Sequence, residues 1–71
     1  MTPVEIGQYI RKARKQADLT QAKAAALCGV GTRFLSDLEN GKATSHLGKT
    51  LLVLKGLGLS LTIQAKTFIH D

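Results

Sequence analysis

The sequence predicts an all-α bundle of four to five helices followed by one C-terminal β-strand, and three observations predict it. Apolar residues recur at helical spacing in successive stretches of a 71-residue chain. These stretches are bounded by capping residues, glycines and polar turns. Beyond residue 58 the period changes, and apolar residues alternate with polar ones as they do in strands.

Thr2-Pro3-Val4-Glu5 opens the first helix. Thr2 caps it, Pro3 suits the first helical position, and Glu5 completes a capping box three residues on. Ile6, Ile10, Ala13 and Ala17 then follow at spacings of four, three and four, which predicts one buried face. Arg11, Lys12, Arg14 and Lys15 occupy the other faces. Asp18-Leu19 makes a tight connection to Thr20, which caps a second, short helix over residues 21–28. Its alanines are strong helix formers and small enough for a neighbouring helix to approach closely. Gly29 ends it in the left-handed conformation that favours glycine. After Val30 a third helix runs from Gly31-Thr32 to about Asn40, with Leu35 and Leu38 facing inward and Asn40-Gly41-Lys42 as its stop.

A polar loop, Ala43-Thr44-Ser45, leads into a fourth helix over residues 46–57. Leu47, Leu51, Leu54 and Leu57 form its main stripe, widened by Leu52 and Val53, which is more apolar surface than one small domain covers. Gly58 stops it. Residues 59–66 read as a strand with no partner in its own chain, and an unpaired apolar strand is costly and sticky. Pairing with the same strand of a second subunit across a twofold axis is the economical solution. That places a dimer interface on Leu61, Thr62, Ile63, Gln64 and Ala65.

Length and composition narrow the function classes. Seventy-one residues make one domain whose core is marginal alone, so a disulfide, a metal or a partner subunit is expected to add stability. Cys28 is the only cysteine and has no intramolecular mate. A lone thiol without a secretory leader is expected in a reducing cytoplasm. Cys28, His46 and His70 share no familiar ligand spacing, so neither metal nor cofactor is expected. Oligomerisation survives. Ten Lys and Arg against five Asp and Glu give a net charge of +5, which favours nucleic acid or an acidic surface as partner. No apolar run is long enough to span a membrane. No Ser/His/Asp or Cys/His set and no phosphate loop is present, so no enzyme is expected.

Two helices joined by a short turn at Gly29, the second short and polar outside, form a helix-turn-helix arrangement. From Ile6-Gly7-Gln8-Tyr9-Ile10-Arg11 through Leu19-Thr20-Gln21, Ala25 and Gly29-Val30 to Leu35-Ser36-Asp37-Leu38-Glu39-Asn40-Gly41-Lys42, the chain resembles the Cro/C1-type (XRE) repressors. Leu57-Gly58-Leu59-Ser60 continues the match, which covers roughly residues 2–60. Within that family Thr2-Pro3 and Leu59-Ser60-Leu61-Thr62-Ile63 resemble the opening and the terminal pairing strand of the HipB-type antitoxin repressors. The resemblance implies a lambda-repressor-like bundle, with a DNA-binding domain over 1–58 and a dimerising strand and tail over 59–71. It implies a homodimer that represses transcription from a palindromic double-stranded DNA operator, with a HipA-like toxin kinase as a further partner.

By the same resemblance, Arg14 and Glu39 form an internal ion pair joining the first helix to the recognition helix, of a kind that sets orientation more than stability. Gln21 contacts phosphate at a helix N-terminus, with Thr20, Lys23 and Lys42 as further phosphate contacts. Base reading falls to Gly31, Thr32, Arg33 and Asp37. Arg33 can grip guanine O6 and N7 together, and Thr32 can bond a base edge or touch a thymine methyl. Gly31 departs from the polar residue common there. Asp37 either accepts from cytosine N4 or holds Arg33, four residues earlier. Phe34 either packs at the domain edge, the commoner fate of an aromatic, or lies against a thymine methyl. Arg11, Lys12, Arg14 and Lys15 read as a solvated face exerting a general pull on DNA, or alternatively as a surface for an acidic protein. Tyr9 is expected at the edge of the core, Cys28 as a small buried hydrophobe, and His46 and His70 exposed without special role. Two further readings stand beside the repressor: a module that docks a toxin kinase, and a free-standing phage-type repressor.

Overall fold

The computed structural model describes residues 1–42 and 46–65. Among them four helices follow in order: α1 (Pro3–Gln16), α2 (Gln21–Cys28), α3 (Thr32–Glu39) and α4 (Leu47–Gly56). The loop Ala43-Thr44-Ser45 and residues 66–71, which include Lys66 and His70, lie outside the described residues.

The predicted capping box on α1 is present, with Glu5 N–H donating to Thr2 Oγ1 at 3.2 Å and Thr2 N–H to Glu5 Oε1 at 3.0 Å. Asp18 turns the chain at φ 59°, a left-handed conformation that Asp tolerates better than most residues. Ile10, Leu35 and Val53, from α1, α3 and α4, are completely buried. They form one core with Ala24, Ala25, Cys28, Leu38 and Leu54. Burying each of the three large side chains contributes about 1.5–3 kcal/mol. The core thus draws on all four helices.

Two buried faces differ from the apolar pattern. On α1 the buried residues are Gly7, Ile10 and Arg14, and Ala17 is an exposed C-cap. Gly7 is inside because α1 crosses the end of α3 so closely that a Cβ there would collide with the carbonyl oxygens of Leu38 and Glu39. On α4 the buried residues are Thr50, Val53 and Leu54, with Leu57 half-buried, while Leu47, Leu51 and Leu52 are exposed. Thr50 can be buried because its hydroxyl donates to the His46 carbonyl one turn back, at 3.1 Å, leaving a methyl group for the core. A stripe counted from leucines alone is therefore rotated from the true one.

Residues 61–65 are exposed and paired with no strand among the described residues, and Ile63 is 88% exposed. Tyr9, expected at the edge of the core, is 59% exposed and lines a groove of about 380 Å³ with Met1, Ile6, Leu54, Leu59 and Leu61. Tyr9 precedes Ile10 by one residue and so points about 100° away from it around α1. Cys28 is buried; its Sγ lies 3.7 Å from the Val53 carbonyl, and burial pushes the thiol pKa up. Among the described residues no helix is long and apolar enough to cross a membrane.

Candidate nucleic-acid interface

The candidate interface is built on the α2–turn–α3 unit. Thr20 takes extended backbone angles and its hydroxyl accepts the Lys23 N–H at 3.1 Å, satisfying one free amide of α2. At the other end Gly29 adopts φ 75°, where a Cβ would be strained. The Gly29 N–H then reaches the Ala26 carbonyl at 3.3 Å and the Val30 N–H reaches the Ala25 carbonyl at 3.0 Å. This pair of bonds is a Schellman closure, and Val30 completes it by packing on the core. The turn between the helices is thereby set by hydrogen bonds and burial together.

Gly31 enters α3 in extended conformation, and no side chain caps the first turn. The leading N–H groups of α3 therefore face outward at the positive end of the helix dipole. Gly31, Thr32 and Arg33 are exposed there, while Leu35 and Leu38 anchor the opposite face in the core. Arg33 has no ion-pair partner among the described residues. Asp37, one turn further, is half-buried and pairs with Lys42, Oδ1 to Nζ at 3.3 Å, rather than with Arg33. Of the two alternatives weighed for Asp37, holding Arg33 is thus not what the structure contains. Arg33 is left with its full fork of donors.

Beneath this surface lies the Arg14–Glu39 pair. Arg14 Nε donates to Glu39 Oε2 at 2.6 Å and Arg14 Nη2 to Oε1 at 2.9 Å, a two-pronged contact between groups that are both almost entirely buried. Arg14 Nη1 donates to the Leu19 carbonyl at 2.9 Å, so one guanidinium ties together α1, the α1–α2 turn and α3. The hydrogen bonds to Glu39 raise the Arg14 pKa, against the lowering effect of burial. Gln21, half-buried in the first turn of α2, donates from Nε2 to Glu39 Oε1 at 3.3 Å. Spacing alone gave no signal of that contact, since the two residues are separated by 18 positions.

On the far side of α3, Phe34 is half-buried and packs against the core, which favours the packing reading of this ring. The His46 ring meets it edge-on with centroids 6.4 Å apart, and Lys49 Nζ sits 5.7 Å from the Phe34 centroid. His46 is exposed as expected, but it has a part to play: it is the N-cap residue of α4 and it flanks Phe34. Lys49 was not among the sequence candidates, because nothing in its neighbours places it beside Arg33's helix. Thr32, Arg33, Lys23, Lys42 and Lys49 thus lie on or next to the exposed surface of α2 and α3. Both acidic residues of α3, Asp37 and Glu39, are neutralised by cations. In contrast, Arg11, Lys12 and Lys15 line a shallow depression with Gln8 and Gln16 on the outer face of α1, turned from its contact with α3.

Comparison with known proteins gives concordant results. A family model described as helix-turn-helix matches residues 10–64. An uncharacterized HTH-type transcriptional regulator, y4mF of Sinorhizobium fredii, is 48% identical over 64 residues, spanning 90% of this chain and 84% of that protein. A chain from the structure of a HipA-HipB-O2-O3 complex superposes with a TM-score of 0.80 at 24% identity, covering 94% of both chains. An MDT protein superposes with a TM-score of 0.79, at the same identity and coverage. These last two likenesses concern the fold.

Proposed function

The chain belongs to the helix-turn-helix family and is a transcriptional regulator of that kind, and from this premise we propose that it is a homodimeric repressor of a palindromic operator. The observation that carries the proposal is the exposed start of α3, uncapped and led by an unpaired Arg33, with both acids of the helix tied to cations. A surface of that character attracts phosphate and leaves a guanidinium free to read bases. In this reading Arg33 grips a guanine and Thr32 meets the adjacent base edge, while Gly31 lets the backbone approach closely. Asp37, held by Lys42, lies beside the bases as an acceptor. Thr20, Gln21, Lys23 and Lys42 grip the phosphates on either side. Residues 1–58 are the DNA-binding unit, and residues 59–71 join two subunits through Leu61, Thr62, Ile63, Gln64 and Ala65, so that two recognition helices enter successive major grooves about 34 Å apart.

The proposal extends to a second partner, a HipA-like toxin kinase, with this chain as the antitoxin and autoregulator of the operon that encodes both. Its support is the resemblance of Thr2-Pro3 and of residues 59–63 to HipB-type repressors, together with the shared fold of a chain from the HipA-HipB complex.

Selection of bound sequences from a random DNA pool tests the first part. The expected product is an inverted repeat with a guanine in each half-site; an asymmetric or absent consensus defeats it. Co-expression with a kinase encoded beside this chain tests the second. A stable complex that survives Arg33→Ala, while operator binding is strongly weakened, is the expected result. Failure to associate leaves a free-standing repressor and removes the antitoxin assignment.

A further inference from the structure

We propose that Glu39 is a positioning residue for DNA binding: through its hydrogen bond to Gln21 it determines which end of that amide faces the phosphate backbone. The inference rests on the DNA-binding reading above and adds to it a physical link between the buried ion pair and the phosphate contact.

A glutamine amide is nearly symmetric in shape but not in chemistry, since one end only donates and the other only accepts. A phosphate oxygen accepts and never donates, so a glutamine facing the backbone oxygen-first repels it. Rotation by half a turn about the last side-chain bond converts a useful contact into a harmful one. Something must choose, and in this protein the chooser is Glu39. Its Oε1 takes the Gln21 Nε2 donor at 3.3 Å while also accepting from Arg14 Nη2 at 2.9 Å. The reversed amide would set the Gln21 oxygen against a carboxylate oxygen, two acceptors face to face. One Nε2 proton is consumed by Glu39, and the second is left for phosphate.

A carboxylate close to DNA would ordinarily repel it. Here the two-pronged guanidinium neutralises the carboxylate, and the Glu39 side chain is only 3% exposed. Arg14 therefore allows an acid to orient the amide without presenting its charge to the duplex. Half-burial of Gln21 restricts the number of other orientations the amide can take.

Glu39→Gln tests the link, because the new amide keeps one acceptor for Arg14 Nε while its NH2, placed where Oε1 was, donates to Gln21 and permits the reversed orientation at the cost of the Arg14 Nη2 bond. Affinity is measured for the selected operator in four proteins: the original, Glu39→Gln, Gln21→Ala, and both together. Glu39→Gln is expected to weaken binding about tenfold in the original background, the order of one charge-assisted hydrogen bond, and less than twofold when Gln21 is already Ala. An equal loss in both backgrounds would show that Glu39 acts by holding α3 in place and would overturn the proposal. Should the variant unfold, the Gln21 side-chain amide can be followed by NMR in the unaltered protein. On adding operator one of the two Nε2 proton resonances, the one not bonded to Glu39, is expected to move much more than the other; equal movement of both, or of neither, defeats the idea. A protein that binds no operator at all fails earlier, at the DNA-binding reading itself.

Discussion

At the scale of single residues, the charges around α3 divide into those that can read bases and those that can only hold the backbone. Arg33 is exposed, unpaired and at the uncapped start of the helix, so its fork is available for a guanine. Arg33→Ala should cost about 1–3 kcal/mol of operator binding per half-site and relax preference at one base pair, which competition with single-base operator variants would reveal. Lys49 is placed differently. Its ammonium rests over the ring of Phe34, beside the proposed recognition helix, and we propose that it meets phosphate and not base. Lys49→Ala should therefore weaken binding evenly across operator variants and reduce the slope of log affinity against log salt by about one per subunit. Titrating binding against salt separates the two. If Lys49→Ala changed sequence preference instead, its assignment to the backbone would be wrong. The exposed place of Arg33 was legible because it follows a turn with a recognisable glycine and begins a helix with an inward Leu35 and Leu38; its base-reading role comes from the family resemblance alone. Lys49 and the Gln21–Glu39 bond were not legible, because they depend on how α2 and α4 lie against α3.

At the scale of helices, most boundaries were legible, because they are set by local chemistry: a threonine at each of two N-caps, and Gly29 after α2. Faces were less legible where packing obeyed something other than hydrophobicity. Ala17, expected inside, is exposed because it lies at the C-cap of α1, whereas Gly7, which carries no hydrophobic signal, is buried by the closeness of α1 to the end of α3. That closeness predicts opposite outcomes for two glycine substitutions. Gly7→Ala drives a methyl group into the Leu38 and Glu39 carbonyls, which belong to backbone and cannot rotate away. It should destabilise the fold by about 1–3 kcal/mol. Gly48→Ala, in the first turns of α4, meets nothing within 4 Å and should stabilise by about 0.5–1 kcal/mol through the loss of chain entropy in the unfolded state. Urea unfolding of both variants checks the pair, and similar values for the two would mean that α1 and α3 are not in such close contact. The same reasoning explains α4. A leucine count ignores Thr50, whose hydroxyl is absorbed by its own helix, and so misplaces the buried stripe by part of a turn.

For the whole molecule, the issue is how a chain of 71 residues bears so much uncovered apolar surface. Leu47 and Leu51 stand out on one side of α4, Leu61 and Ile63 project from the tail, and Tyr9 lies beside the groove that Leu61 lines. Patches of this kind on a small domain mark association. In the proposed dimer the tail is the junction, because residues 61–65 are exposed and make no backbone hydrogen bond to another of the described residues, and they carry apolar side chains as well. Ile63 has the most to bury, so Ile63→Glu should split the dimer. Sedimentation equilibrium at micromolar concentration would then report a monomer. Binding of the operator should fall sharply, since two half-sites held by one dimer profit from effective concentration and separate monomers do not. The salt slope should also fall from near −5, the value for about three phosphate-neutralising cations in each subunit, to about half of that. If the subunits join through α4 instead, Leu51→Glu will produce the monomer and Ile63→Glu will not. That outcome would transfer the junction to the helix and leave the tail without its proposed role, while the DNA-facing surface of α3 would stand as described.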